Sequence, residues 1–451
     1  MLSFLNRNYI TFLGLICLLA LLVLSLYFYR ERIYFSDPAY QLFLLINDQK
    51  IEIMTNRWPS TIFRALPFLG LKLGWSSSTL AKLFSLSFPL FHIICFSILS
   101  FKLKDKALSL LALFSLLLIT NDSFYWCSSD LLQGILTLLL GISLFRNTQS
   151  IWTKYFLSSL LMVAAVFFHP LCLFPLFYII IDDSLQQRAL WKPQWVLALV
   201  FGSTWFVRNK FFSTWYDQAK GTEFWNNFDN LDWFTIPTHK TFLTHELLVF
   251  YPLLILIVLL SILILFRKKA WLRILFLVVS LVGFTLLVHI SNPQNTWMFY
   301  RESNYVCLAL FVSYPFVKHI CSSALKFKYK IVLPLILGFC ILRIGYRHHE
   351  FTERINFISE QIAASKCAKT ILEENEAWDP ILKMEWAIPF ESLLIANEIG
   401  NDKTIFYSKK NKALEVKERT DVFLSPFKIL YTSDFNKEYF DFENSYYCKD
   451  D

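Results

Sequence analysis

Residues 9–29 read YITFLGLICLLALLVLSLYFY, an apolar run without a single charge. At about 1.5 Å of rise per residue, a helix of this length crosses the hydrocarbon of a bilayer. No small-residue cleavage site follows a short apolar core, so the run reads as a retained signal anchor rather than a cleaved signal peptide. The remainder of the chain repeats the pattern. Of 451 residues, 55% are hydrophobic, more than one soluble core of this size can hide. They lie in long runs, not in the stripes of a soluble amphipathic helix.

About eleven such runs are legible, beginning near Tyr9, Leu80, Ala107, Leu131, Tyr155, Leu171, Trp195, Leu247, Ile274, Tyr305 and Ile331. The fold class is therefore an all-α polytopic membrane protein. His169-Pro170 interrupts one stretch, either as a turn between two short spans or as a break within one long helix. The net charge is +8, but Lys and Arg fall largely between the apolar runs. There they set orientation, and no nucleic-acid partner is expected. Lys102, Lys104 and Lys106 form one cluster; Arg146 with Lys154, Arg188 with Lys192, Arg267 to Arg273, and Lys318 to Lys330 form others. All fall on one side if the N-terminus is cytoplasmic and His169-Pro170 is a turn, while Thr120 to Asp130, with no Lys or Arg, falls on the other. This topology predicts a cytoplasmic (inner) membrane protein whose last region lies outside the cytoplasm.

Two domains are expected: residues 1–345 in the membrane, and residues 346–451 as a small mixed α/β extracytoplasmic domain. The latter is too long and too aromatic for a disordered tail. The first external loop, Arg30 to Ser78, carries two stretches with apolar residues on one face, Pro38 to Asn47 and Ser60 to Leu73, which read as interfacial helices. The second, Arg208 to His245, is rich in aromatics and carboxylates: Trp215, Tyr216, Asp217, Glu223, Trp225, Asp229, Asp232 and Trp233. Of nine cysteines, Cys17, Cys95, Cys172, Cys307 and Cys340 lie in or at apolar runs as small hydrophobes. No CxxC or Cys/His ligand spacing occurs, which argues against structural zinc. Cys367 and Cys448 stand apart in the polar region: a disulfide in an oxidising compartment, two free thiols otherwise.

Few residues carry chemistry. Asp37, in YFSDPAY (34–40), sits just beyond the first span among aromatics, where a carboxylate of raised pKa can serve as a general base. The same Asp-Pro pair also fits an N-cap followed by proline at the first helical position. Asp122 and Asp130 flank a short external loop, as a second acidic group for an acceptor hydroxyl or as helix caps; Asp130, at a span entrance, ranks first. His169 either contacts a phosphate or satisfies backbone freed by Pro170. Arg301 lies on the side where positive charge is disfavoured, suited to gripping a phosphate or to pairing with Glu302.

The layout resembles the GT-C superfamily of membrane glycosyltransferases, which use polyprenyl-phosphate-linked sugars. The resemblance rests on an N-terminal span followed by a long loop with an early acid (Asp37), interfacial helices, many spans with short loops, an Arg301/Tyr305 segment opening a late external span, and a polar region on the same side. Arg57-Trp58-Pro59-Ser60 to Leu90, and Ser129-Asp130, are similar to uncharacterised bacterial proteins of this type. The resemblance implies a multi-pass glycosyltransferase of the cell envelope with inverting chemistry. Asp37 would be the catalytic base; Arg301, Tyr305 and His169 would hold the donor phosphate, and Asp130 or Asp122 would meet the acceptor. Its partners would be a polyprenyl-phosphate sugar and membrane lipids. The chain departs from many relatives in having Asp37-Pro38 in place of two tandem acids. It shows no DxD-like pair, so no metal or cofactor is expected. Three other readings remain: a lipid-linked polysaccharide ligase or polymerase, drawing on Arg208, His239 and His245; a transporter; and an assembly subunit that binds a partner.

Overall fold

A computed structural model describes residues 2–187, 193–230, 235–294, 297–322, 327–373, 375, 377–408, 419–425, 429–441 and 445–449. Arg188, Lys192, Asp232 and Trp233 lie outside these. The chain is mostly helical with few strands. In order run α1 (Leu2–Tyr27), α2 (Ser36–Asp48), α3 (Ile62–Lys72), α4 (Ser77–Ser97), α5 (Lys106–Leu117), α6 (Asp130–Asn147), α7 (Ser158–Phe168) and α8 (Leu173–Gln187). There follow α9 (Trp195–Phe211), α10 (Trp215–Asn230), α11 (Pro252–Arg267), α12 (Trp271–Ser291), α13 (Met298–Cys321), α14 (Phe327–Tyr346), α15 (His349–Ala364) and α16 (Ile388–Glu398).

Among the described residues, four helical segments are long and apolar enough to cross a membrane: Asn8–Tyr27, Ser77–Lys102, Trp271–Ser291 and Tyr329–Ala364. Pro237–Val249 and Pro252–Arg267, bent by 89°, make a fifth if they form one span. Pro252 explains the bend, because it has no N–H to continue the ladder and pushes Tyr251 out of the helical region. Segments such as Lys106–Leu117 and Trp152–Phe168 are apolar but shorter. On α1, Ile16, Leu19, Val23 and Leu26 are exposed while Cys17, Leu18 and Leu21 are buried. That is the division expected of a helix with neighbours on one side and lipid on the other. Between α6 and α7 the contact is close because α6 presents glycines. A Cβ on Gly134 would stand 2.6 Å from Cys172 Sγ, and one on Gly141 2.3 Å from Met162 Cε.

Charge collects at two ends of the bundle. At one end, Arg273 donates to both oxygens of Asp182 at 2.8 Å. Asp183 accepts from Lys318 at 2.6 Å, Arg146 at 2.5 Å and the Tyr314 hydroxyl at 2.8 Å. Three of the basic clusters read from the sequence therefore meet at this end. The other end holds Arg57, Asp130, His169 and Arg208. The chain reverses at His169: α7 ends at Phe168, His169 is extended, a 3-10 turn spans Pro170–Cys172, and α8 carries Asp183 back beside Arg146 at the close of α6.

After Tyr346 come α15, α16 and, among the described residues, five short strands: β1 (Lys369–Glu373), β2 (Thr404–Ser408), β3 (Val422–Phe423), β4 (Leu430–Tyr431) and β5 (Tyr447–Lys449). The first sheet runs β2-β1-β5, all parallel, and β3 pairs with β4 antiparallel. A disulfide joins Cys367 to Cys448, with Cα atoms 6.3 Å apart, beside the Thr370–Cys448 register of β1 and β5.

This region shares its core with the first loop. Phe43 of α2 lies 5.0 Å from Phe390 and 6.1 Å from Phe423 between ring centroids. Leu42 and Ile46 are fully buried in the same cluster as Ile358, Leu393 and Phe440. The two helices expected at the interface therefore differ. On α3, Ile62, Leu66, Leu69 and Leu73 form an exposed apolar stripe, as an interfacial helix requires. On α2 the apolar face is covered by the C-terminal region, so that expectation is corrected: its hydrophobic residues pack on protein rather than on lipid.

Candidate functional site

Asp37 is not an N-cap. Helix α2 begins one residue earlier, at Ser36, and Asp37 stands inside its first turn. Ser36 lies at φ 53°, a left-handed geometry that costs a side-chain-bearing residue about 1–2 kcal/mol. Its N–H donates to Glu391 Oε1 at 2.7 Å, and Glu391 in turn accepts from Arg354 Nε at 2.7 Å. The helix start is thus capped from the C-terminal region, and Asp37 is left for other contacts. Its Oδ2 accepts from Trp126 Nε1 at 3.0 Å. Burial pushes the Asp37 carboxyl up to about 6 against the opposing pull of the Trp126 bond and the Arg57 charge, and Asp130 adds to the rise.

Beside this group lies a cleft of about 1070 Å³. Arg57, His169, Arg208, Lys220 and Tyr300 line its polar part; Leu173, Phe174, Trp205, Leu287 and Val288 line its apolar part. Trp126, the donor to Asp37, packs 4.8 Å from Tyr300 between ring centroids, which places Asp37 one residue behind the wall. Arg57 pairs with Asp130 at 3.1 Å. Arg208, 1% exposed, pairs with Asp217 at 3.3 Å, tying α10 to the end of α9. Each guanidinium gives one nitrogen to its carboxylate. The Nε atoms of both are buried without a partner among the described residues, unused donors of a kind native folds seldom leave. His169 Nδ1 accepts from the Leu171 N–H at 3.2 Å. Burial first, then the Arg57 and Arg208 charges, hold the ring well below its ordinary pKa. The neutral ring then carries its proton on Nε2, as a donor.

Asp37, Asp130 and His169 are therefore brought together at this end of the bundle. Arg301, Tyr305 and Asp122 are placed elsewhere, away from the lining of this cleft. Arg301 is 3% exposed and bound to the Glu246 carboxylate, not to Glu302. Glu302 instead accepts from the N–H groups of Asn121 and Ser123, the Ser123 hydroxyl and the Tyr251 hydroxyl. Tyr305, fully buried, meets His289 Nε2 at 2.8 Å, and His289 meets His239 at 3.0 Å. Asp122 is gripped by Arg347 through two bonds of 2.7 and 3.0 Å. None of the three lines the cleft. Arg301 and Tyr305 lie where residues 298–305 open α13 among packed helices, and Asp122 lies buried in the loop between α5 and α6.

Arg57 and Arg208 line the cleft, where Arg301 does not. The signal was present, since an external Arg on a membrane protein asks for a partner, and that applied to all three. Set against family models, curated proteins and solved structures, the chain matches none.

Proposed function

We propose that this protein is a multi-pass membrane glycosyltransferase of GT-C type. It would transfer a sugar from a polyprenyl-phosphate donor to an acceptor hydroxyl, with inversion, on the extracytoplasmic side of the inner membrane. The observation that carries the reading is the cleft: Arg57 and Arg208 beside the His169 Nε2–H, on a wall that continues into apolar residues. A phosphate bearing a long hydrocarbon tail has that same division. In this reading the eleven apolar helices α1, α4 to α9 and α11 to α14 cross in alternation. The convergence of Arg146, Arg273 and Lys318 at one end and of Arg57, Asp130 and His169 at the other supports that path. The Cys367–Cys448 disulfide supports an oxidising compartment for the C-terminal region.

The acceptor O–H proton passes to the Asp37 carboxylate as the oxygen forms its bond to the anomeric carbon. The bond from that carbon to the phosphate oxygen breaks, and its electron pair leaves with the polyprenyl phosphate. Arg57, Arg208 and His169 stabilise the charge that grows there. Asp130 holds Arg57 in place. Purified protein in lipid, offered a panel of polyprenyl-phosphate sugars, is expected to consume one donor, and Asp37→Asn to abolish it. Full turnover by Asp37→Asn refutes the role of Asp37; no consumption of any donor by folded wild type refutes the transferase.

A further inference from the structure

We propose that the end of the bundle opposite the cleft binds the phosphate headgroup of an anionic phospholipid. A pocket of about 230 Å³ lies there among α11, α12 and α13, with Lys268, Arg273, Lys318 and Ser322 on its polar wall and Leu265 and Pro315 on its apolar one. The charges around it do not balance. Arg146, Arg273 and Lys318 converge on two carboxylates, Asp182 and Asp183. Lys268 adds a fourth cation with no acid partner among the described residues. Partial burial, then the Arg273 and Lys318 charges, hold the Lys268 ammonium below its ordinary pKa.

The surface beside the pocket selects a lipid over a free ion. Leu263 and Phe266 at the end of α11, and Trp271, Leu272 and Leu275 at the start of α12, are all exposed. Acyl chains would lie on these side chains while the phosphate reached the pocket, and Trp271 has the position of an interfacial anchor. The same end carries the basic clusters, and basic pockets between helices on that side suit anionic headgroups.

Native mass spectrometry of the full chain in detergent, titrated with phosphatidylglycerol or phosphatidylcholine, tests the site. Phosphatidylglycerol is expected to bind more tightly. Lys268→Gln, an exposed residue with no partner to strand, is expected to weaken phosphatidylglycerol about fivefold and leave phosphatidylcholine unchanged. Equal affinity for the two lipids, or a Lys268→Gln variant that binds phosphatidylglycerol as wild type does, overturns the proposal. Thermal unfolding with inorganic phosphate separates the sources: protection by phosphate equal to that by the lipid would assign the pocket to a free anion and also overturn it.

Discussion

Replacing Asp37 with Asn should make the protein more stable at neutral pH while removing its chemistry. In the folded chain the carboxyl is pushed up to about 6 from 3.8. About 2 units at 1.36 kcal/mol each bound the cost of ionising it at roughly 3 kcal/mol; Asp37 is only half-buried, and solvent screening reduces this to roughly half. The direction follows from proton counting. Between pH 4 and pH 6 the folded state keeps a proton that the unfolded chain has lost, so stability falls as pH rises through that window and is flat above it. Asn does not titrate, and its side-chain oxygen can still accept from Trp126. Thermal unfolding in lipid nanodiscs should therefore show the variant melting higher than wild type at pH 7.5 and alike at pH 4. Turnover should show the reverse signature: wild-type kcat/KM rises about tenfold per pH unit up to about 6 and then levels, and the variant loses roughly a hundredfold or more. A variant that melts with wild type at both pH values would refute the claim that burial strains this carboxylate.

Glu391→Ala strands the buried Arg354 charge and uncaps α2, and should cost about 3–5 kcal/mol in unfolding experiments. Glu391→Gln, which can still accept from Ser36, should recover part of the loss. Changing Cys367 and Cys448 to Ser opens a loop with a sequence separation of 81, worth about 4.5 kcal/mol in the chain-entropy relation. Added reductant should lower the melting temperature of wild type and leave that double variant unmoved. Arg208→Lys keeps the charge beside Asp217 but loses the fork, and should raise KM for a polyprenyl-phosphate donor by roughly tenfold or more with little change in stability.

The membrane class was legible because lipid writes itself into composition: an uncharged run such as residues 9–29 has few other uses. The apolar stripe of α3 was legible for a related reason, since it repeats at helical spacing. Helix α2 carries a similar pattern, and periodicity alone cannot say whether its apolar face meets lipid or Phe390 and Phe423 from some 350 residues away. Partner choice among charges was equally hidden. Arg301 has Glu302 beside it in sequence, but neighbours on a helix point in different directions, and Glu246 is the one in reach. Asp37 and Asp130 stood out in the sequence because each sits at the end of an apolar run, where an acid is conspicuous. Arg57 was passed over because a long loop tolerates positive charge, and Arg208 was weighed only with His239 and His245 for a ligase or polymerase.

The position of Asp37 is set by its neighbour Pro38 and from two distant parts of the chain, and this argues that the C-terminal region serves the site. Trp126, from the loop between α5 and α6, holds one carboxylate oxygen. Pro38 fixes the backbone direction on the other side. Ser36, in its left-handed geometry, is held by Glu391 from α16. Of these, only the Glu391 contact crosses from residues beyond 346, and it is also the one anchored by a buried ion pair. A local cap, such as a Ser or Asp side chain at position 35, would have satisfied the same N–H. Phe35 stands there instead, in contact with Phe299 and Phe351. The helix start that carries Asp37 is therefore complete only when the C-terminal region is docked on it. Loss of that region should disable the site before it unfolds the bundle.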